Sequence, residues 1–160
     1  MTSPGGQERS DSGMSLQERL PTVLGEVATV VEESDGALTV SVDGIVASLR
    51  VVMIAEGLEM VSLTQPLAWD LPLTNKTREI VSDHATKTML GTVTLVAKAV
   101  DTAANGSSAK SSARRSTAKK VADVLLRYNF PAAGLTDDAL RTLILMVLST
   151  GADVRAALIA

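Results

Sequence analysis

The stretch Ala37–Leu63, ALTVSVDGIVASLRVVMIAEGLEMVSL, decides the fold class. Its first half alternates: Leu38, Val40 and Val42 fall on one side of an extended chain, Thr39 and Ser41 on the other. VDGI then reads as a tight turn, because Asp and Gly tolerate the positive φ that a two-residue hairpin needs. SDGA, just upstream, is a second such signal. IVASLRVVMIA is a long, richly apolar strand, broken at Gly57. LEMVSLTQPLAWDLPL reads as another, ending near Pro66 or Pro72, since proline donates nothing to a ladder. From Thr29 to Leu73 the pattern is a meander of three or four antiparallel strands.

On both sides of the meander the period changes to that of a helix. Upstream, SLQE is a capping box with Ser15 as N-cap and Glu18 three residues on. Leu16, Leu20, Val23, Leu24 and Val27 follow at helical spacing and predict a helix from about Ser15 to about Ala28. Pro21 is its obstacle, at roughly 3 kcal/mol in a helix interior. Downstream, TNKTREIVSDHATKTML predicts a helix capped by Thr74 or Asn75, with a stripe of Ile80, Val81, Ala85 and Met89, and ended by Gly91. TVTLVAKAV and VADVLLRYNFP read as strands, the second stopped by Pro131.

The closing segment, GLTDDALRTLILMVLSTGADVRAALIA, is a helix with Thr136 as N-cap and Asp137 and Asp138 in the first turn, where the helix dipole favours negative charge. Leu140, Leu143, Ile144, Val147, Gly151, Val154 and Leu158 mark one face. The order α-βββ-α-ββ-α is that of an α+β two-layer sandwich: an antiparallel sheet of about five strands with helices on one face.

The chain of 160 residues suits one domain over residues 15–160, after a polar tail, residues 1–14, too poor in apolar side chains to offset its ordering entropy. A net charge of −3 disfavours global binding to nucleic acid, and three aromatics (Trp69, Tyr128, Phe130) are too few for a base-stacking platform. There is no cysteine, which removes disulfides, thiolate metal sites and thiol nucleophiles. The polar N-terminus lacks an apolar signal core, and no run of about 18 uncharged apolar residues occurs. These features lead to the expectation of a cytoplasmic protein that does not enter the membrane.

Catalytic chemistry finds no constellation. His84 is the one histidine, and its neighbours Ser82 and Asp83 point away from it at about 100° per helical residue. Scattered carboxylates make no closed metal site, and no glycine-rich phosphate loop opens a helix. No enzyme activity, cofactor or metal is expected.

Two other features carry interaction signals. The long connection between the last two strands, residues 101–120, includes Asn105–Lys120, NGSSAKSSARRSTAKK, with Lys110, Arg114, Arg115, Lys119 and Lys120 and no acid. It reads as a solvated flexible loop or, alternatively, as a site for nucleic acid or an acidic partner. Ser116 and Thr117, after two arginines, also suit a basophilic kinase. In the closing helix, LILMVL is apolar all round, so Leu145, Met146 and Leu148 exceed what a helix on one sheet face needs. In the long strand, Val46, Val52 and Ile54 alternate with Ile45, Ala47, Leu49, Val51 and Met53, so both faces are apolar and both call for cover. Met53, Met60 and Met146 suit an adaptable surface. A protein or peptide partner and a homodimer are expected.

The meander ALTVSVDGIVASLRVVMIAEGLEMVSL, the strand VADVLLRYNFP and the helix LTDDALRTLILMVLSTGADVRAAL together are similar to type III secretion chaperone-like proteins, including the YbjN family. The resemblance covers roughly Ser15 to Ala160 and departs from the family at the long basic connection, where a short hairpin is usual. It implies a non-enzymatic, often dimeric protein that binds polypeptides or acts in regulation.

Overall fold

In a computed structural model the described residues are 14–100 and 120–160. Three helices and six strands follow in the order α1 (Leu16–Gly25), β1 (Thr29–Glu32), β2 (Leu38–Val42), β3 (Ile45–Ala55), β4 (Leu58–Pro72), α2 (Asn75–Lys87), β5 (Thr92–Ala99), β6 (Lys120–Pro131) and α3 (Asp137–Ile159). The strands make one antiparallel sheet in the order β1-β2-β3-β4-β6-β5. The class is α+β, as the periodicities indicate. The sheet has six strands where about five were expected, because Thr29–Glu32 forms a short edge strand of its own against β2.

Local chemistry explains the turns and caps. Asp43 and Gly44 take φ of 49° and 79°, so the β2–β3 connection is the two-residue turn that Asp-Gly favours. Ser15 accepts the Glu18 N–H at 3.3 Å while Glu18 accepts the Ser15 N–H at 3.1 Å, closing the capping box. α1 continues through Pro21. Leu16, Leu20, Val23 and Leu24 are all buried on one face. At about 1.5–3 kcal/mol per buried aliphatic side chain, that outweighs the proline's roughly 3 kcal/mol. Thr74 and Thr136 cap α2 and α3.

β4 passes Pro66 and ends at Pro72. The β3–β4 ladder stops at Ser48–Thr64, so Pro66 lies beyond the point where an N–H towards β3 is needed. The β4–β6 ladder shifts register at Pro66/Ala68 and again at Ala68/Leu71.

Burial shows which face is covered. Leu38, Val40, Ala47, Leu49, Val61, Leu63, Leu67, Val124 and Leu126 point under the helices and are buried. They meet Leu20 and Leu24 of α1, Val81 of α2, and Leu140, Ile144, Val147, Leu148 and Val154 of α3 in one core. α3 is the middle helix, touching α1, α2, β3 and β4. Arg19 and Arg141 lash α1 to it: Arg19 donates to Asp137 at 2.8 Å and to the Leu135 carbonyl at 2.7 Å. Arg141 donates to the Val23 carbonyl at 3.1 Å and to Glu26 at 2.6 Å. The stripe expected on α2 is narrower in fact. Val81 is buried and Ile80 half-buried, but Ala85 is exposed. The helix ends at Lys87, leaving Met89 92% exposed beyond it.

α3 is the one helix among the described residues that is long and apolar enough to cross a membrane. Here its apolar face packs on the sheet.

Candidate interaction surface

The side chains that the sequence marks for partner binding lie on two different surfaces. Val46, Val52 and Ile54 sit on the sheet face opposite the helices and are exposed at 49%, 40% and 62%. No helix of the described residues covers that face. Around them the pleat presents Thr39, Ser41, Ser48, Ser62, Thr64 and Thr94 together with Arg50 and Arg127, so the face mixes hydroxyls, cations and β-branched methyls. Val31 on β1 and Val96 on β5 extend it towards both edges.

α3 contributes less than its composition promises. Met146 is 53% exposed, but Leu145 is half-buried and Leu148 is 1% exposed. Leu148 is therefore a core residue, not surplus apolar surface. Its place in the helical repeat, one turn after Ile144, turns it onto β4, where its carbonyl also accepts from Gln65. Met146 stands on the far side of the helix layer from Val46, so one flat partner cannot touch both.

Of the basic connection, Lys110, Arg114, Arg115 and Lys119 lie outside the described residues. So do residues 1–13 of the expected disordered tail. Lys120 opens β6 as an exposed residue and faces Ala99 of β5, so the connection joins adjacent antiparallel strands.

Two further side chains bear on the surface. Met53 alternates with the buried row of β3, yet it is 68% exposed. β2 pairs with β3 only from Ile45 to Leu49, so the distal half of β3 extends past its neighbour. Unequal strand lengths were the available signal. Gln65 is the second. It sits at an inward position of β4 between Leu63 and Leu67, 2% exposed, and donates through Nε2 to the Leu148 carbonyl at 3.2 Å. Its Oε1 is buried without a partner.

Three ionisable groups form a small cluster on the open face. Lys98 of β5 bonds Asp70 at 2.7 Å and Asp123 of β6 at 3.0 Å, and Asp123 also accepts the Asp70 backbone N–H at 2.9 Å. Asp70 is a non-glycine residue at φ of 53° beside the β4 bulges, and these bonds hold it there. The Asp70 N–H, aided by Lys98, holds the Asp123 carboxyl below the usual carboxylate range, against the upward push of burial. Its bonds to Asp70 and then Asp123 hold the Lys98 ammonium above the usual range.

A pH dependence follows. The Asp123 contribution to stability is present above about pH 4, the ordinary carboxylate value, and disappears as pH falls through the lowered one. The Lys98 contribution is present below about pH 10 and disappears as pH rises through the raised value. Urea midpoints of wild type and Asp123→Asn should differ at about pH 6 and converge as pH falls below the lowered Asp123 value. A gap that stays constant with pH would assign the cluster no such role. Asp35, lowered by its bond to Arg50, adds little, because both side chains are more than half exposed.

No group of three or more potential metal ligands gathers among the described residues. A cleft of about 260 Å³ lies between the β2–β3 turn and the end of α3, lined by Asp43, Val46, Gln65, Pro66, Arg155 and Ile159. Another of about 490 Å³ lies at the start of α3. There Arg19 and Asp137 are already bonded to each other. Neither brings a nucleophile together with a base. No protein-family model matches the chain, and no curated protein matches it.

Proposed function

We propose that this chain is a non-enzymatic protein-binding domain, chaperone-like or regulatory, that takes an extended apolar segment of a polypeptide on its open sheet face and works as a homodimer. The reading agrees with the resemblance to type III secretion chaperone-like and YbjN proteins. One observation carries it: all three helices lie on one face of the sheet, while Val46, Val52 and Ile54 project from the other at 40–62% exposure. Exposed apolar side chains grouped on an uncovered sheet face mark an interaction site. The interspersed hydroxyls of Ser48, Ser62 and Thr64 leave the face wettable when vacant. They also offer hydrogen bonds to a bound backbone.

The test uses ten-residue peptides of alternating Val and Leu, followed by fluorescence anisotropy, with serine-substituted peptides as controls. Wild type should bind the apolar set. The triple variant Val46→Thr/Val52→Thr/Ile54→Thr keeps β-branched side chains and strand preference but removes apolar area. Its affinity should fall on the order of tenfold or more, since each lost contact is worth about 1 kcal/mol. Equal binding by wild type and variant, or no binding by wild type at tens of micromolar, sinks the reading.

A further inference from the structure

Arg50, Lys98 and Arg127 are the cations of the open face, and two of them already have counter-ions. Arg50 holds Asp35, and Lys98 lies between Asp70 and Asp123. Arg127 of β6 is exposed and makes no ion pair among the described residues. The register fixes its surroundings. Arg127 stands directly opposite Thr64 on β4 and Thr92 on β5, and residues paired across a ladder point to the same side. One pleat along, Asn129 faces Ser62 on one side of it, and Leu125 faces Thr94 on the other. None of these neighbours is acidic. An open hollow of about 430 Å³ lies here, lined in part by Thr92, Thr94, Arg127 and Asn129.

We propose that Arg127 anchors a carboxylate: the extended apolar segment taken by the open face carries a glutamate or aspartate side chain, which the Arg127 guanidinium receives between the Thr64 and Thr92 hydroxyls. The proposal rests on the open-face reading above and names what the segment carries besides apolar side chains. Charge selects this occupant. A guanidinium offers two parallel N–H donors to a carboxylate, and hydroxyls can donate to the same oxygens. A polyanion such as nucleic acid draws its affinity from many phosphate contacts, and this face has a single cation without a counter-ion among the described residues. A basic segment would meet an uncompensated positive charge. The spacing is also set. Val46 lies two residues beyond Ser48, which faces Thr64, so Arg127 is two strands across and two residues along from it. At about 4.8 Å per strand and about 3.4 Å per residue, that is roughly 12 Å. An extended chain running obliquely over the strands covers this in about four residues, an even number that turns both side chains towards the sheet.

The test uses ten-residue peptides with blocked ends, alternating Val and Leu, in which the residue four positions from a valine is glutamate, glutamine or lysine. Fluorescence anisotropy reads their binding. Wild type should bind the glutamate peptide about three- to tenfold more tightly than the glutamine peptide at roughly 20 mM salt. The gap should close towards roughly 1 M, where the Debye length is about 3 Å. Arg127→Gln should lose the preference yet bind the glutamine peptide as wild type does, with an unchanged circular dichroism spectrum. Arg127→Glu should prefer the lysine peptide. A wild type that binds the glutamate and glutamine peptides equally overturns the anchor and leaves the open-face reading standing. A preference for glutamate that persists in Arg127→Gln overturns it as well. Wild type that binds none of the peptides overturns the anchor together with the reading beneath it.

Discussion

Gly151→Ala should destabilise the fold by about 2–4 kcal/mol, lowering the thermal midpoint by roughly 10 °C. On helix propensity alone the change gains about 1 kcal/mol, because Gly151 lies well inside α3. Sterics decide against it. A Cβ at position 151 would overlap the Oε1, Cδ and Nε2 atoms of Gln65, which fill the space the glycine leaves. To make room the carboxamide must move and give up its bond to the Leu148 carbonyl, and a buried polar group left unpaired costs about 1–3 kcal/mol. The overlap predicts a coupling. Gln65→Ala in the Gly151→Ala background should recover much of the loss, though Gln65→Ala alone destabilises. Gln65→Met keeps the volume and removes the unpartnered Oε1, so it should be neutral or better. Thermal and urea unfolding of the four chains followed by circular dichroism measure the cycle. A Gly151→Ala chain as stable as wild type, or additive single effects, would remove the steric argument.

Leu148→Ala is expected to cost about 3–4 kcal/mol of folding stability, as other large-to-small changes in a closed core do. Leu148 is 1% exposed in the core that α3 shares with β4, so its truncation leaves a cavity. Met146→Ala, two residues away on the same helix, should stay within about 0.5 kcal/mol, because Met146 faces solvent. The pair separates a core residue from a surface one of similar composition. If Leu148 instead served a partner, its truncation would weaken association and leave the urea midpoint of the isolated chain in place. Equal midpoints for the two variants would mean that α3 does not sit on the sheet in the orientation described.

Much of the architecture was legible because its causes are local. The Asp43-Gly44 turn, the Ser15 box and the Thr136 cap each act within four residues, and each appears where the sequence puts it. Alternation in Leu38–Val42 and the helical repeat of Leu140–Val154 likewise need only the chain's own period. The candidate surface was half legible. Val46, Val52 and Ile54 were marked from their outward alternation, and they do stand exposed. Leu148 was misplaced, because a run apolar on every side does not say which side meets the sheet. Met53, which alternates with Leu49 but was also marked for an adaptable surface, stands exposed because β2 is shorter than β3.

The sequence by itself determined the kinds of elements, their order and most of their ends, since hydrogen-bonding period, turn dihedrals and caps depend on residues a few positions apart. Tertiary structure alone decided which faces are covered. Gln65 meets Leu148 across 83 positions of chain and dictates a glycine at 151, and Arg19 reaches Asp137 across 118. Burial is a property of neighbours in space, and a single sequence records only neighbours along the chain. That is why the open face of the sheet and the projecting end of β3 came into view only once the elements were packed.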